Sequence, residues 1–280
     1  MKVAQKLAIK YVRARVNILA LVSKRKAAEK AFKIFCTPFR KTSKQIPPFF
    51  EKAEKLHFEM DGMAIKGYRF NHPQETKVLI IHGFESASKN FEKYIPHLIN
   101  KGYEVLAFDA PAHGRSDGKE INLPLYLKTL QQIDQRYGPI NRFMSHSFGG
   151  ITLAHLLETL PQNENLKAVF IAPATETATS IDLFFTFLKF SPEIRKEFEN
   201  VILEKGGQPL SYYSIRRAIK NIHGPVLWIH DEDDDITPIK DAIAVKDDNP
   251  PNVDFHFTKG LGHRKIYRDA EVVRRVVDFL

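Results

Sequence analysis

The sequence predicts an α/β fold, in which the strands of a mostly parallel sheet alternate with helices. Short uninterrupted apolar runs recur along the chain, as is typical of strands that are buried on both faces of a parallel sheet. These runs are residues 78–81, 105–108, 168–171 and 226–229. Helical patterns accompany them at residues 91–100, 125–137, 151–160 and 270–280. This alternation builds βαβ units, so we expect helices on both faces of the sheet.

Two extended segments precede the first apolar run and predict an antiparallel pair of strands. Residues 56–60 and 64–71 flank Asp61-Gly62, a dipeptide that favours a tight hairpin turn. A proline-containing connector comes before them. We therefore expect the main domain to span residues 51–280 and an N-terminal arm to span residues 1–50.

The arm carries most of the positive charge of the chain. The net charge of the whole chain is +9, but 13 of its 42 Lys and Arg and only one of its 33 acids, Glu29, lie in residues 1–45, which leaves the rest with three more acids than bases. A basic arm on a slightly acidic body is not the charge distribution of a nucleic-acid-binding domain. We expect no nucleic-acid partner.

The arm has the pattern of one basic amphipathic helix. Lys10, Arg13 and Lys24 fall on one helical face, and apolar residues such as Val12 and Val16 occupy much of the remainder. Two interpretations stay open. The apolar face packs on the domain and leaves the basic face in solvent, or the helix makes peripheral contact with an anionic membrane surface.

The composition favours a reducing compartment. No stretch approaches the roughly 20 uncharged apolar residues that a membrane-spanning helix needs. The single cysteine, Cys36, cannot form an internal disulfide. Residues 16–22 form only a short apolar run, followed by three basic residues, which argues against a cleaved signal peptide. We expect a cytoplasmic protein, with membrane association through the arm as the alternative.

A long insertion interrupts the alternation of strands and helices. About fifty residues separate Pro173 from Val226, far more than the roughly 2–6 residues of an ordinary βα connection. We expect a small helical lid at about residues 176–224. Its aromatic cluster, residues 184–190, favours a substrate with an apolar group, and internal packing is the other use of such residues.

Ser147 has the local context of a nucleophile. It follows the strand-like residues 140–145 and precedes the helix-like residues 149–160, and a sharp turn between strand and helix exposes a serine hydroxyl. Such a serine also needs a base that accepts its proton and donors for the developing oxyanion. A serine near a glycine is common in loops, so the rest of the chain must supply these groups.

The segment Ser145-His146-Ser147-Phe148-Gly149-Gly150 resembles the nucleophile elbow of the α/β-hydrolase family, Gly-x-Ser-x-Gly, with Ser145 in place of the first glycine. The resemblance extends over roughly residues 56–280. It implies the α/β-hydrolase fold, with a mostly parallel eight-stranded sheet, helices on both faces and a lid. It also implies that Ser147 is the nucleophile.

Two further segments match the family. His82-Gly83-Phe84 follows an apolar strand, and the resemblance implies an oxyanion hole formed by the backbone N–H groups of Phe84 and Phe148. Residues 109–116 resemble the family's segment Asp-x-Pro-Gly-His-Gly-x-Ser, with Ala112 at the glycine. We interpret His82 and His113 as residues that order these loops rather than as catalytic bases.

The acid and the base follow in the order of the family. Aligning His230 and Pro238 with the family pattern His-Gly-x-x-Asp-x-x-Val-Pro implies that Asp234 is the catalytic carboxylate. The neighbouring aspartates could instead bind a hard cation such as calcium, but this register favours an acid loop and no metal. His263, after the strand-like residues 253–257, completes the order Ser, Asp, His and is the implied base.

These residues predict a serine hydrolase that cleaves a small-molecule carboxylic ester through an acyl-enzyme, without a cofactor. Thioesters, peptide bonds and acyl transfer to an alcohol would use the same triad. A noncatalytic α/β-hydrolase-fold protein that binds a ligand is the alternative from another class. The sequence does not indicate an oligomeric state.

Overall fold

The computed structural model describes residues 3–40, 45–161 and 165–280. Within these residues eight strands form one sheet in the order β1-β2-β4-β3-β5-β6-β7-β8. The strands are β1 Glu54–Met60, β2 Met63–Phe70, β3 Lys77–Ile81, β4 Glu104–Phe108, β5 Arg142–His146, β6 Lys167–Ile171, β7 Val226–Asp231 and β8 Val253–Thr258. β2 is antiparallel to β1 and β4, and the other neighbours are parallel. The predicted mostly parallel, eight-stranded sheet is confirmed.

Helices precede, connect and follow the strands. The α-helices of the described residues are α1 Val3–Val22, α2 Lys24–Phe35, α3 Pro48–Glu51, α4 Ile95–Asn100, α5 Leu123–Tyr137, α6 Phe148–Leu157, α7 Thr177–Leu188, α8 Pro192–Gly206, α9 Ile215–Ala218, α10 Ile239–Asp247, α11 Gly262–Lys265 and α12 Ala270–Phe279. None of these helices is both long enough and apolar enough to cross a bilayer.

The first hairpin forms as its turn residues predict. Asp61 and Gly62 have positive φ angles of 51° and 72°, and Met60 pairs directly with Met63 across the turn. Positive φ at both central residues is the geometry that Asp-Gly favours. The turn therefore sets the register of β1 on β2.

Helices cover both faces of the sheet, because successive side chains of a strand point to opposite sides. On one face, Val78 and Ile80 of β3 belong to a buried core that includes Leu98 of α4 and Val276 of α12. On the other face lies Ile81, which contacts α6 closely: a Cβ added at Gly149 would lie 2.9 Å from its side chain. This two-sided burial explains why the strands read as continuous apolar runs.

Two of the predicted helices have different bounds in the structure. In place of one helix over residues 91–100, the chain forms a 3₁₀ turn, Ser88–Phe91, and then the short helix α4. α4 begins at Ile95 and has Pro96 in its first turn, where proline is tolerated. The helix predicted at residues 151–160 begins at Phe148, immediately after Ser147, and ends at Leu157. The elbow thus leads into the helix without a loop.

The chain forms two compact units. The larger comprises Pro38–Thr175 and Ile215–Leu280 and contains the sheet. In the smaller, α1 and α2 of the arm join α7 and α8 of the insertion, Glu176–Ser214. Aromatic rings form the interior of the smaller unit, with Phe32 of α2 5.7 Å from Phe198 and Phe35 5.1 Å from Phe184.

The arm contains two helices, so the single helix predicted to include Lys24 is wrong. Ser23 has extended backbone angles and its side chain accepts a hydrogen bond from Lys26 N–H. This is an N-cap, which begins a new helix at Lys24. The cap separates Lys24 from the helical face of Lys10 and Arg13.

We predict that Gly149→Ala destabilises the protein. Alanine at an open helical position is favoured over glycine by about 1 kcal/mol, but a Cβ at Gly149 would lie 2.7 Å from the carbonyl oxygens of both Ile81 and His82. We expect a loss of about 1–3 kcal/mol in the free energy of unfolding, measured by urea denaturation. An unchanged or higher free energy of unfolding, as alanine gives at an open helical position, would contradict the close contact.

Candidate active site

Ser147 occupies a strained turn between β5 and α6. Its backbone has φ 56° and ψ −124°, a conformation that is uncommon for any residue with a side chain. Its N–H donates to Ile171 O at 3.1 Å, and its carbonyl accepts from Gly150 N at 2.8 Å and from Ala174 N at 3.0 Å. The turn is therefore held on both sides by main-chain bonds.

Small residues around the turn permit its close contacts. A Cβ at Gly83 would lie 2.8 Å from Ser147 Cβ, and one at Gly150 would lie 2.5 Å from Pro173 Cβ. Both distances are shorter than van der Waals contact. The glycines are thus required by the approach of α6 to the neighbouring loops.

Ser145 fits where the family pattern has glycine. It is fully buried, and its hydroxyl donates to Val169 O of the neighbouring strand at 3.0 Å. A Cβ at Gly150 would still be 3.7 Å from Ser145 Oγ, an ordinary contact. A buried hydroxyl with a hydrogen-bond partner costs little, so this departure leaves the elbow intact.

The fold brings Ser147, His263 and Asp234 together. His263, in the first turn of α11, places Nε2 2.9 Å from Ser147 Oγ, although 116 residues separate the two in sequence. Its Nδ1 lies 2.8 Å from Asp234 Oδ2. Because the carboxylate only accepts, Nδ1 carries the proton, and Nε2 is free to accept the proton of the Ser147 hydroxyl.

Asp234 stays ionised in this site. Burial alone would raise its pKa, but hydrogen bonds from His263 and from the N–H groups of Ile236 and Thr237 hold the pKa below its ordinary value. The Thr237 hydroxyl adds a donor at 2.9 Å. A fixed negative charge is thus aimed at His263 Nδ1.

The other aspartates of the acidic loop have different surroundings. Asp231 accepts hydrogen bonds from Leu261 N–H and Gly262 N–H at 3.1 and 2.8 Å, and so anchors the backbone just before His263. Asp233 accepts from Gly260 N–H at 3.0 Å, and Asp235 is exposed. The carboxylates bind backbone donors rather than converging on a common point.

Comparisons with known proteins agree with this geometry. Residues 72–204, which include Ser147, match the family model described as "Serine aminopeptidase, S33". The uncharacterized hydrolase YugF of Bacillus subtilis (strain 168) is 24% identical, with 80% of this chain and 96% of that protein covered. A Pyrococcus furiosus esterase superposes with a TM-score of 0.65 at 20% identity, covering 88% of this chain and 97% of that one. For a monoacylglycerol lipase of Paleococcus ferrophilus the TM-score is 0.56 at 22% identity, covering 77% and 99%.

The chain has the α/β-hydrolase fold. The sheet order, the turn between β5 and α6 and the superposition on solved structures agree on this fold. The sheet places Ser147 after β5, Asp234 after β7 and His263 after β8. All three lie at the carboxyl ends of parallel strands, where α/β proteins assemble their sites.

Phe148 directly follows Ser147, and Phe84 directly follows Gly83, which approaches Ser147 closely. Phe148 is the first residue of α6, and its ring centroid is 6.2 Å from that of Phe84. No described residue accepts a hydrogen bond from either N–H group. Two unsatisfied donors beside a serine can stabilise a negatively charged oxygen.

His82 and His113 are fully engaged in loop structure. His82 Nε2 accepts from Ala110 N–H at 2.9 Å and its Nδ1 lies 2.8 Å from Gly83 O. His113 Nε2 accepts from Glu85 N–H at 2.9 Å, and its Nδ1 lies 2.9 Å from Pro111 O. Neither ring has a nitrogen left for proton transfer, which agrees with their interpretation as loop-ordering residues.

His146 is a site residue that the sequence reasoning missed. Its ring is buried 4.7 Å from the ring of His263 and 4.5 Å from that of Tyr267. Nε2 lies 3.0 Å from His263 O, and since a carbonyl only accepts, this nitrogen donates. His146 therefore fixes the main chain of His263, and its place next to Ser147 was the signal that could have drawn attention to it.

The buried histidines predict a loss of stability in acid. Burial lowers the pKa of His146 to about 3 and that of His113 to about 4, whereas histidine in an unfolded chain titrates near ~6.5. Between these values the unfolded state binds more protons. The free energy of unfolding should therefore fall as the pH drops below ~6.5, by about 1.4 kcal/mol per pH unit for each such histidine, measured by urea denaturation from pH 7 to 4.5.

His146→Gln is the matched variant for this titration, because it keeps a donor for His263 O and removes the ionisable ring. Its pH slope should be smaller by about one proton than that of the wild type. An unchanged slope would mean that His146 is protonated in the folded protein.

Proposed function

We propose that this protein is a serine hydrolase of the α/β-hydrolase family that cleaves carboxylic esters through an acyl-enzyme intermediate. The observation that carries the proposal is the continuous hydrogen-bonded chain from Ser147 Oγ to His263 Nε2, at 2.9 Å, and from His263 Nδ1 to Asp234 Oδ2, at 2.8 Å. Distances of about 2.6–3.2 Å are those of a base in reach of its nucleophile. The proposal assigns Ser147 as nucleophile, His263 as base and Asp234 as orienting acid.

Acylation follows from this arrangement. Ser147 Oγ attacks the ester carbonyl carbon while its proton moves to His263 Nε2, and Asp234 stabilises the imidazolium. The carbonyl oxygen becomes an oxyanion that accepts hydrogen bonds from Phe84 N–H and Phe148 N–H. When the C–O bond to the alcohol breaks, His263 gives its proton to the departing oxygen.

Deacylation uses the same groups with water as the nucleophile. His263 takes a proton from the water as its oxygen attacks the acyl carbon, and then returns the proton to Ser147 Oγ. The products are the carboxylic acid and the regenerated serine. Each step is completed by this chain's own residues, so the proposal requires no cofactor.

An apolar substrate group is supported by the residues nearest Ser147. Phe84 and Phe148 are half-buried with ring centroids 6.2 Å apart, and the Tyr126 ring lies 5.7 Å from that of Phe148. The aromatic residues of the insertion give less support for an apolar substrate group than their number in the sequence suggested. Phe184, Phe185 and Phe198 pack against one another inside the smaller unit. Two of the structural relatives are an esterase and a monoacylglycerol lipase, which supports an ester substrate.

An aminopeptidase is the second candidate, because the matched family model carries that description. Amide cleavage would use the same triad but must release an amine, a poorer leaving group than an alcohol.

Rates on p-nitrophenyl esters of graded chain length, a thioester and an amino-acid p-nitroanilide would separate these activities. The proposal expects the esters to be cleaved fastest and Ser147→Ala to abolish the reaction. Absence of turnover on every substrate would favour the noncatalytic alternative.

We predict that Asp234→Asn lowers kcat on the best ester by about 10³–10⁴-fold. An asparagine can present its amide N–H to His263 and so favour the wrong tautomer of the ring. Asp235→Asn is the matched control, since that carboxylate is exposed and next in sequence, and it should retain full activity. Initial rates of ester hydrolysis give kcat for each variant, and circular dichroism establishes that each variant is folded. Equal losses in the two variants would contradict the assignment of Asp234.

A further inference from the structure

Helix α1 carries an apolar stripe on its exposed side. Leu7, Tyr11, Ile18, Leu21 and Val22 are between 60% and 87% exposed. At 3.6 residues per turn these five positions lie within an arc of about 100° of the helix circumference. Large apolar side chains grouped in one exposed stripe mark an interaction surface, whereas single ones do not.

Basic residues border this stripe on both sides. Lys10 lies about 20° beyond one edge of the arc and Arg15 about 20° beyond the other. Both are exposed, and neither forms an ion pair with any described residue. Arg15 instead lies over the Tyr11 ring, 5.7 Å from its centroid. The chain contains no acid before Glu29, so the charged side chains that border the stripe are all cationic.

The inward side of α1 is already used by the fold. Val16 is fully buried, and Arg13 donates from Nε to Leu188 O at 2.8 Å and from Nη2 to Phe187 O at 3.3 Å. These contacts hold α1 on α7. Packing of the helix through part of its surface, with basic residues in solvent, agrees with one of the two interpretations of the arm, but apolar residues also line the outer side.

We propose that the exposed face of α1 docks on an anionic phospholipid surface. The apolar stripe enters the boundary between headgroups and acyl chains, as amphipathic helices do. Lys10 and Arg15 reach lipid phosphates from its two borders, and Tyr11 provides a ring with a polar tip at the depth where such rings concentrate. The arrangement matches the charge of an anionic bilayer and needs no other partner.

A second copy of the chain suits this face less well. A symmetric pair of α1 helices would bring the same surface patch together on both copies. The bordering cations of the two copies would then face one another, and α1 supplies no carboxylate to neutralise them. Lipid phosphates supply that charge.

Vesicle flotation of the full-length chain tests the proposal. The protein is mixed with vesicles of phosphatidylcholine alone or with roughly 30 mol% phosphatidylglycerol, at low and high salt. We expect binding to the anionic vesicles that is at least about tenfold stronger than to the neutral ones and that weakens with salt. Equal binding to both, or none, would overturn the proposal.

Matched variants locate the binding face. Ile18→Asn/Leu21→Asn should weaken binding by about tenfold or more, whereas Ile243→Asn, an exposed isoleucine of α10, should leave it unchanged. Lys10→Gln/Arg15→Gln should weaken binding by about fivefold per cation. Lys119→Gln/Lys240→Gln removes the same charge from exposed sites on the larger unit and should have a smaller effect. Equal effects of the α1 variants and their controls would contradict docking through α1.

Two further measurements keep the outcome separate from catalysis and from self-association. Ser147→Ala should bind vesicles like the wild type, because the docking face does not involve the serine. Light scattering coupled to gel filtration should give the same mass for the wild type and Ile18→Asn/Leu21→Asn. A wild-type dimer that this variant dissociates would show that a second copy covers the face and would overturn the proposal.

Discussion

The architecture of the site depends on the tight turn at Ser147. A left-handed backbone at a residue other than glycine costs roughly 1–3 kcal/mol and persists only where the surroundings fix it. Here Ile171 O, Gly150 N and Ala174 N bind the Ser147 backbone. The strain is thus offset by bonds to the neighbouring strand, the helix and a loop, and it holds the hydroxyl within 2.9 Å of His263.

His263, the proposed base, is positioned by its main chain as much as by Asp234. His146 binds the carbonyl of His263, and Asp231 binds the two N–H groups that immediately precede this residue. Burial lowers the pKa of His146, so its ring stays neutral beside the imidazole that gains a proton in the proposed reaction. A second cation next to His263 would oppose that gain. The site therefore combines the ionised carboxylate of Asp234 with the neutral supporting ring of His146.

The sequence predicted those parts of the molecule that follow from local rules. Apolar runs identified the buried strands, and Asp61-Gly62 identified the hairpin turn. Asp234 was singled out among its neighbours by the resemblance of residues 230–238 to the family pattern. Contacts between distant segments could not be read in this way. The bond from His146 to His263 O spans 117 residues, and the packing of α2 against α8 joins the arm to the insertion. The outward direction of the apolar stripe on α1 also depends on that packing.

The most direct test of the central claim is covalent labelling of the folded protein with a fluorophosphonate, followed by mass spectrometry of the tryptic peptides. An activated serine attacks phosphorus and keeps the phosphonyl group, whereas an ordinary serine hydroxyl is inert to the reagent. The account predicts one adduct, on Ser147, that forms in the native protein and is lost on unfolding in urea. A native protein that remains unlabelled, or that carries its adduct on another residue, would contradict the account.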